Sequence, residues 1–258
     1  MRKARAFFKK EIGIILCLVF FVAFLIIAKL LMPYFYGANW YLVNGVQRLV
    51  FGFLELFLFI KIFHKESWNE VFHFKRFKAG FLAGFAMLLI IPFYIVTYYI
   101  LGAKSWVTPT GSIVFWLLIQ QLGSAFWEEM AFRAFAMEGY FAQEHKTRKI
   151  RVIYALISFV LFGLAHAVEY NSIWDALYQF GIHGIWGFAF ASVYLYSHNI
   201  LAPMLLHFLT NIFSHVISYV AEWNNNAAFL ILDNYGYFIF MGFILITAVI
   251  FLLKEPKE

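Results

Sequence analysis

The chain has 258 residues, of which 64% are hydrophobic, 22% aromatic and only 13% charged. A soluble domain carries roughly 25% charged residues, which argues against a water-soluble fold; apolar blocks of about twenty residues instead match the length that crosses about 30 Å of hydrocarbon. The net charge of +6 comes from clusters between those blocks, a pattern that sets membrane topology and does not build a nucleic-acid-binding face.

The start, Met1-Arg2-Lys3-Ala4-Arg5 through Lys9-Lys10, opens like a signal peptide, but the apolar run Ile12 to Met32 is too long for one and no convincing cleavage site follows. It is expected to remain as a first span. Cys17 inside it is the single cysteine, so no intramolecular disulfide forms and a packed thiol is expected. Further apolar blocks lie at about 41–63, 79–102, 112–141, 152–168, 173–197, 200–220 and 234–253, making about eight candidate spans. Between the second and third, His64 to Lys78 mixes Trp68, Val71, Phe72, Phe74 and Phe77 with Lys65, Lys75, Arg76 and Lys78, as an interfacial amphipathic helix or a plain cytoplasmic loop would. The fourth block exceeds what a membrane needs and carries Glu128, Glu129, Arg133 and Glu138 in its C-terminal half, which predicts that it bends, tilts or runs out along the cytoplasmic surface.

Sixteen of the twenty Lys and Arg fall at the N-terminus, in the second-to-third and fourth-to-fifth connections, and in the C-terminal tail. That alternation follows the positive-inside rule and predicts that both termini are cytoplasmic. The expected fold is therefore all-α, a polytopic transmembrane helical bundle forming one domain over 1–258, with the informative core at 112–220. No internal repeat, low-complexity tract or soluble domain interrupts it.

An ionisable side chain inside a span costs at least ~2.5–3.5 kcal/mol on insertion scales and so marks a candidate site. Three groups qualify: Glu128-Glu129-Met130-Ala131-Phe132-Arg133, Phe162 with His166, and His207 with Asn211. Positions i and i+4 share a helix face whereas adjacent ones diverge by roughly 100°. Glu129 and Arg133 are therefore expected to pair. Glu128 is left without a partner in its own helix and becomes the candidate general base. The same spacing places His207 and Asn211 on one face, and Phe162 one turn from His166. A carboxylate with an imidazole polarises water, and an imidazole with a carboxamide stabilises an oxyanion, which together are the parts of amide hydrolysis. The structural alternatives are an ion pair that only keeps Glu129 and Arg133 buried, core histidines, and a packing role for Phe162. The remaining polar residues, Arg48, Glu55, Glu138, Glu169, Asp175, His183, His198, His215 and Glu222, are expected mostly to snorkel or anchor at interfaces, with His183 at a close helix contact among Gly181, Gly184 and Gly187 and, as the alternative, lining the site.

The three groups, in this order on three blocks, resemble the motifs of the CPBP family, the CAAX proteases and bacteriocin-processing intramembrane proteases, whose prokaryotic members are often called Abi proteins. The pattern Glu-Glu-x-x-x-Arg, Phe-x-x-x-His, His-x-x-x-Asn is met by Glu128, Glu129 and Arg133, by Phe162 and His166, and by His207 and Asn211. The resemblance covers roughly 112–220, and the span count looks like that of the type II CAAX prenyl endopeptidases. It implies an intramembrane peptidase of a bacterial cytoplasmic membrane with a peptide or protein substrate. In it Glu128 and His166 activate water, His207 and Asn211 form the oxyanion hole, and Glu129 and Arg133 support them. No cofactor is expected; zinc on Glu128, His166 and His207 is the alternative, since three protein ligands suffice for a catalytic site. A non-proteolytic immunity or scaffold protein, and a transporter with a proton relay through the same residues, are the competing readings.

Overall fold

The computed structural model describes residues 2–35, 38–63, 72–106, 110–223 and 235–254. Nearly all of them are helical. Helix α1 spans Arg2–Leu31 and α2 spans Ala38–Ile62. The third apolar block is broken: α3 covers Phe77–Ala83, a 3-10 turn Phe85–Leu89, and α4 Ile90–Tyr94, followed by a π-helical stretch Ile95–Gly102. Its two halves meet at 50°. Gly84 at the break and Pro92, which lacks a donor and crowds the preceding turn, account for the interruption. Strand β1, Ala103–Trp106, then pairs antiparallel with β2, Ala221–Trp223.

The motif-bearing half begins with α5, Gly111–Glu129, continues through a π-helical turn Met130–Phe135 and ends in α6, Ala136–Phe141. Helix α7, Arg148–Ala167, starts where Thr147 accepts a hydrogen bond from the Ile150 amide. Helix α8, Ile173–Ser197, starts on Ser172 in the same way and ends at His198 in a left-handed conformation. The Asn199 side chain caps α9, Leu201–Val220, by accepting from the Ala202 amide, and its amide nitrogen donates to the carbonyls of His73 and Lys75. Helix α10 is Tyr237–Leu253.

Polarity runs inside out. Exposed apolar residues form stripes at helical spacing, such as Ile15, Val19, Val22 and Ile26 on α1, Leu156, Val160 and Leu164 on α7, and Ile239, Phe243, Ile246 and Ile250 on α10. Buried polar residues include Asn44, Glu55, Gln121, Ser124, Glu128, Glu129 and Arg133. A stripe of this kind suits lipid and not water. Glu11–Tyr34, Asn39–Ile62 and Arg148–Ala167 are long and apolar enough to cross a membrane, and the bent pair makes a fourth if it counts as one span. The other expected blocks are helical too, but the apolar stretches Leu201–Val216 of α9 and Tyr237–Leu253 of α10 are shorter, and α5 and α8 place polar side chains inward among their apolar ones.

Two expectations need correction. The C-terminal half of the fourth block does not run out along a surface: every residue from Trp127 to Tyr140 is buried, because each charge there has a partner within the bundle. Nor do Glu55 and Glu138 snorkel. Glu55 is fully buried, and Glu138 accepts from the Tyr194 hydroxyl at 3.2 Å, with His198 at 3.6 Å. Most of the suggested amphipathic segment, including Trp68 and Val71, lies outside the described residues; Phe72 and Phe77 pack on the core and Phe74 is exposed. Cys17 is buried in the core, as expected.

Helices α2 and α5 cross on two glycines, and the crossing brings a wall of the central cavity together. A Cβ at Gly45 would lie 2.8 Å from Gln120 Cα, and one at Gly123 would lie 2.6 Å from the Gly45 carbonyl oxygen. Gly123→Leu is therefore expected to lower the thermal midpoint of the detergent-solubilised protein, at a cost of about 1–3 kcal/mol for overpacking. Gly181→Ala, where nothing lies within 4 Å of the new Cβ, is the matched control and should leave the midpoint unchanged or higher.

Candidate active site

A cavity of about 330 Å³ lies among α2, α5, α7, α8 and α9, and Glu128, Phe162, His166, His207 and Asn211 all line it. The three sequence groups therefore meet in one place. Glu129 and Arg133, which do not line it, sit directly behind.

The two glutamates diverge as adjacent helical positions must. Glu129 pairs with Arg133 at 3.1 Å, one turn apart, and both side chains are fully buried. It also meets His207: Glu129 Oε1 lies 2.8 Å from His207 Nδ1. A carboxylate bonded to one ring nitrogen fixes the orientation of the ring and leaves the other nitrogen to function. That other nitrogen, Nε2, lies 3.7 Å from Glu128 Oε2. His207 thus stands between two carboxylates, with Phe190 stacked on its ring at a centroid distance of 4.8 Å.

Glu128 finds its ion-pair partner outside its own helix. Arg48 of α2 reaches it, Nη1 to Oε1, at 2.6 Å, and donates to Ser124 Oγ at 2.5 Å. Its Nε donates to Asn44 Oδ1 at 2.8 Å. The guanidinium lies 5.4 Å from the Phe24 ring and 5.6 Å from that of Trp127, two rings that stack on each other. Arg133 is clamped in the same manner, 4.5 Å from Phe162 and 5.1 Å from Phe190. Each glutamate therefore has its own arginine, and each arginine its own pair of aromatic faces.

On α7, His166 Nδ1 lies 2.9 Å from the Phe162 carbonyl oxygen. A carbonyl only accepts, so Nδ1 carries the proton and Nε2 is left as the acceptor of the neutral ring. Phe162 accordingly does more than pack: its carbonyl sets the His166 tautomer and its ring faces Arg133. His183 does more than fill a helix contact. Its ring stacks on His166 at 3.8 Å with an 8° interplanar angle, its Nδ1 faces the Gln179 carbonyl at 3.1 Å, and it lines the cavity. The close helix contact expected around it also exists, since a Cβ at Gly184 or Gly187 would collide with Phe159 or Phe162. His215 lines the cavity as well, whereas Glu169 and Asp175 are exposed near helix ends. The side chain of Glu222 lies outside the described residues.

Arg48 and His183 belong to no motif, and a lipid boundary or a helix contact accounts for such residues in sequence. The available signal is the pair Asn44 and Arg48, one turn apart in a predominantly apolar block, which the cost of burying a charge in lipid flags as firmly as Glu128. Among the described residues no group of three or more His, Cys, Asp or Glu is arranged to hold a metal ion.

Arg133→Met is expected to destabilise the protein by about 3–5 kcal/mol, because it removes the arginine charge from the buried Glu129 carboxylate and leaves it only the His207 contact. Thermal unfolding in detergent checks this, and the double variant Glu129→Gln with Arg133→Met should recover part of the loss.

No curated protein and no solved structure matches the chain. A family model does: that of the type II CAAX prenyl endopeptidase Rce1-like family matches residues 110–213. The match begins one residue before α5 and ends two residues after Asn211, so it takes in all three motifs and leaves out α2 with its Arg48. The matched stretch carries most of the residues that line the cavity. Over residues 110–213 the chain is similar to the type II CAAX prenyl endopeptidase Rce1-like family.

Proposed function

We propose that this protein is a multi-pass intramembrane endopeptidase of a bacterial cytoplasmic membrane, cutting a peptide or protein substrate admitted to the cavity among α5, α7 and α9. The observation that carries the proposal is the convergence of Glu128, His166, His207 and Asn211 on that single cavity.

The chemistry follows from the donors and acceptors present. Glu128 takes a proton from a water molecule whose oxygen attacks the scissile carbonyl carbon, while His166 accepts the water's second hydrogen bond through Nε2. The carbonyl oxygen becomes an oxyanion. His207, held by Glu129 at Nδ1, faces it with Nε2, and the Asn211 carboxamide donates alongside. Glu128 then returns its proton to the departing amine nitrogen as the C–N bond breaks. Each proton taken up is given back, so the site ends as it began. No step of this reading is routed through a metal.

The substrate itself we propose to be an unlipidated peptide, because the cavity wall next to Glu128 is polar, with Gln120, Gln121 and Ser124 on α5 and Ser214 and His215 on α9. Comparative peptidomics of membranes from wild-type and Glu128→Gln cells tests activity and substrate together: cleavage products should disappear in the variant, and identical peptide sets would remove the proposal. With a peptide in hand, Glu128→Gln is expected to lose about 10²–10⁴ in kcat and His166→Ala to fall in the same range. His207→Ala should lose about 10²–10³ in kcat with a smaller change in KM, as removal of an oxyanion donor does.

A further inference from the structure

The strongest feature that the proposed chemistry leaves unused is the guanidinium of Arg48. It comes from α2, outside the matched segment, and it holds one oxygen of Glu128 at 2.6 Å. We infer that Arg48, strapped by Asn44, is a positioning residue of the active site: it pins Glu128 Oε1 and so makes Oε2, on the His207 side, the oxygen that handles the proton. The inference rests on the reading of Glu128 as the general base.

The geometry supports it at each link. Asn44 and Arg48 stand one turn apart on α2, and Ser124 and Glu128 one turn apart on α5, so two i,i+4 pairs face each other across the Gly45–Gly123 crossing. The same arginine nitrogen, Nη1, serves both Ser124 and Glu128, while Nε is taken by Asn44. A guanidinium held at two points and lying over Phe24 and Trp127 has little freedom to rotate, and a charge-assisted bond from it is short and directional. The carboxylate it holds therefore has one occupied oxygen, Oε1, and one facing His207 Nε2 at 3.7 Å. A mere structural strut would be expected to sit wholly inside the protein, yet Arg48 lines the cavity and its side chain keeps 19% of its surface accessible.

The expected signature is a loss of turnover without a loss of binding. With a synthetic peptide spanning a cleavage site found by the peptidomics, Arg48→Met should lower kcat about 100-fold, the cost of misplacing a reacting group by about 1 Å, with KM changed less than about threefold. Arg48→Lys should regain part of that loss, and millimolar guanidinium should raise the kcat of Arg48→Ala while leaving wild type unaffected. Asn44→Leu, which keeps the charge and removes the strap, should lose about tenfold in kcat, and it serves if Arg48 variants fail to fold. Thermal unfolding of each variant confirms that the assays are run on folded protein. Full kcat in folded Arg48→Met or Asn44→Leu, or a loss confined to KM, would overturn the inference. An active Glu128→Gln would instead overturn the assignment of Glu128 as base, so the two failures are distinguishable.

Discussion

Everything in this bundle depends on neutralising two adjacent carboxylates in an interior that has no water to spare for them. An unpaired ion in such surroundings costs several kcal/mol, enough to consume a large part of a protein's net stability. The chain meets the cost twice over, with Arg133 for Glu129 and Arg48 for Glu128, and places the His207 ring between the two pairs. Because adjacent helical positions point apart by about 100°, the partners have to come from different directions: one from the same helical run, one from α2 across the bundle. The arrangement separates two jobs. Glu129 lies wholly behind the cavity and holds an imidazole; Glu128 lies at its wall and faces what enters.

The aromatic content serves the same end. Phe162 and Phe190 flank Arg133, and Phe24 with Trp127 flanks Arg48, so that rings supply the faces against which bare guanidiniums rest. Small residues let the helices come near enough for these contacts. Without Gly45 and Gly123 at the crossing of α2 and α5, the reach from Arg48 to Glu128 would lengthen by the width of a side chain. Packing, charge and site geometry are therefore not separable layers here; the crossing that closes the core is the one that sets the carboxylate.

Much of the site is legible from the residues alone. Motif spacing locates Glu128, His166, His207 and Asn211, and i,i+4 geometry gives the Glu129–Arg133 pair, because both depend only on helical periodicity. What periodicity does not carry is the relation between helices distant in sequence. Arg48 sits eighty residues from Glu128, and nothing in the order of residues states that α2 crosses α5 there. The stacking of His183 on His166 is hidden for the same reason, as is the burial of Trp127–Tyr140: charges that would drive an isolated helix to the surface stay inside when partners arrive from elsewhere. Length and apolarity alone mark out fewer helices as long enough to span than the eight apolar blocks suggest, since α5 and α8 trade hydropathy for inward polar residues and the third block is bent.

The π-helical turn Met130–Phe135 joins α5 to α6 directly after the two glutamates. Its i→i+5 bonding accommodates one residue beyond what a regular helix would use, and such turns recur at functional positions. The effect is a shift of phase: everything beyond Phe135 is rotated by about 100° relative to an unbroken helix. Upstream of the turn the run offers Glu128 to the cavity; downstream it offers Glu138 to Tyr194 and His198 at the end of α8. A shortening by a single residue would put these two ends out of step, so that a chain able to seat one of them would have to give up the other.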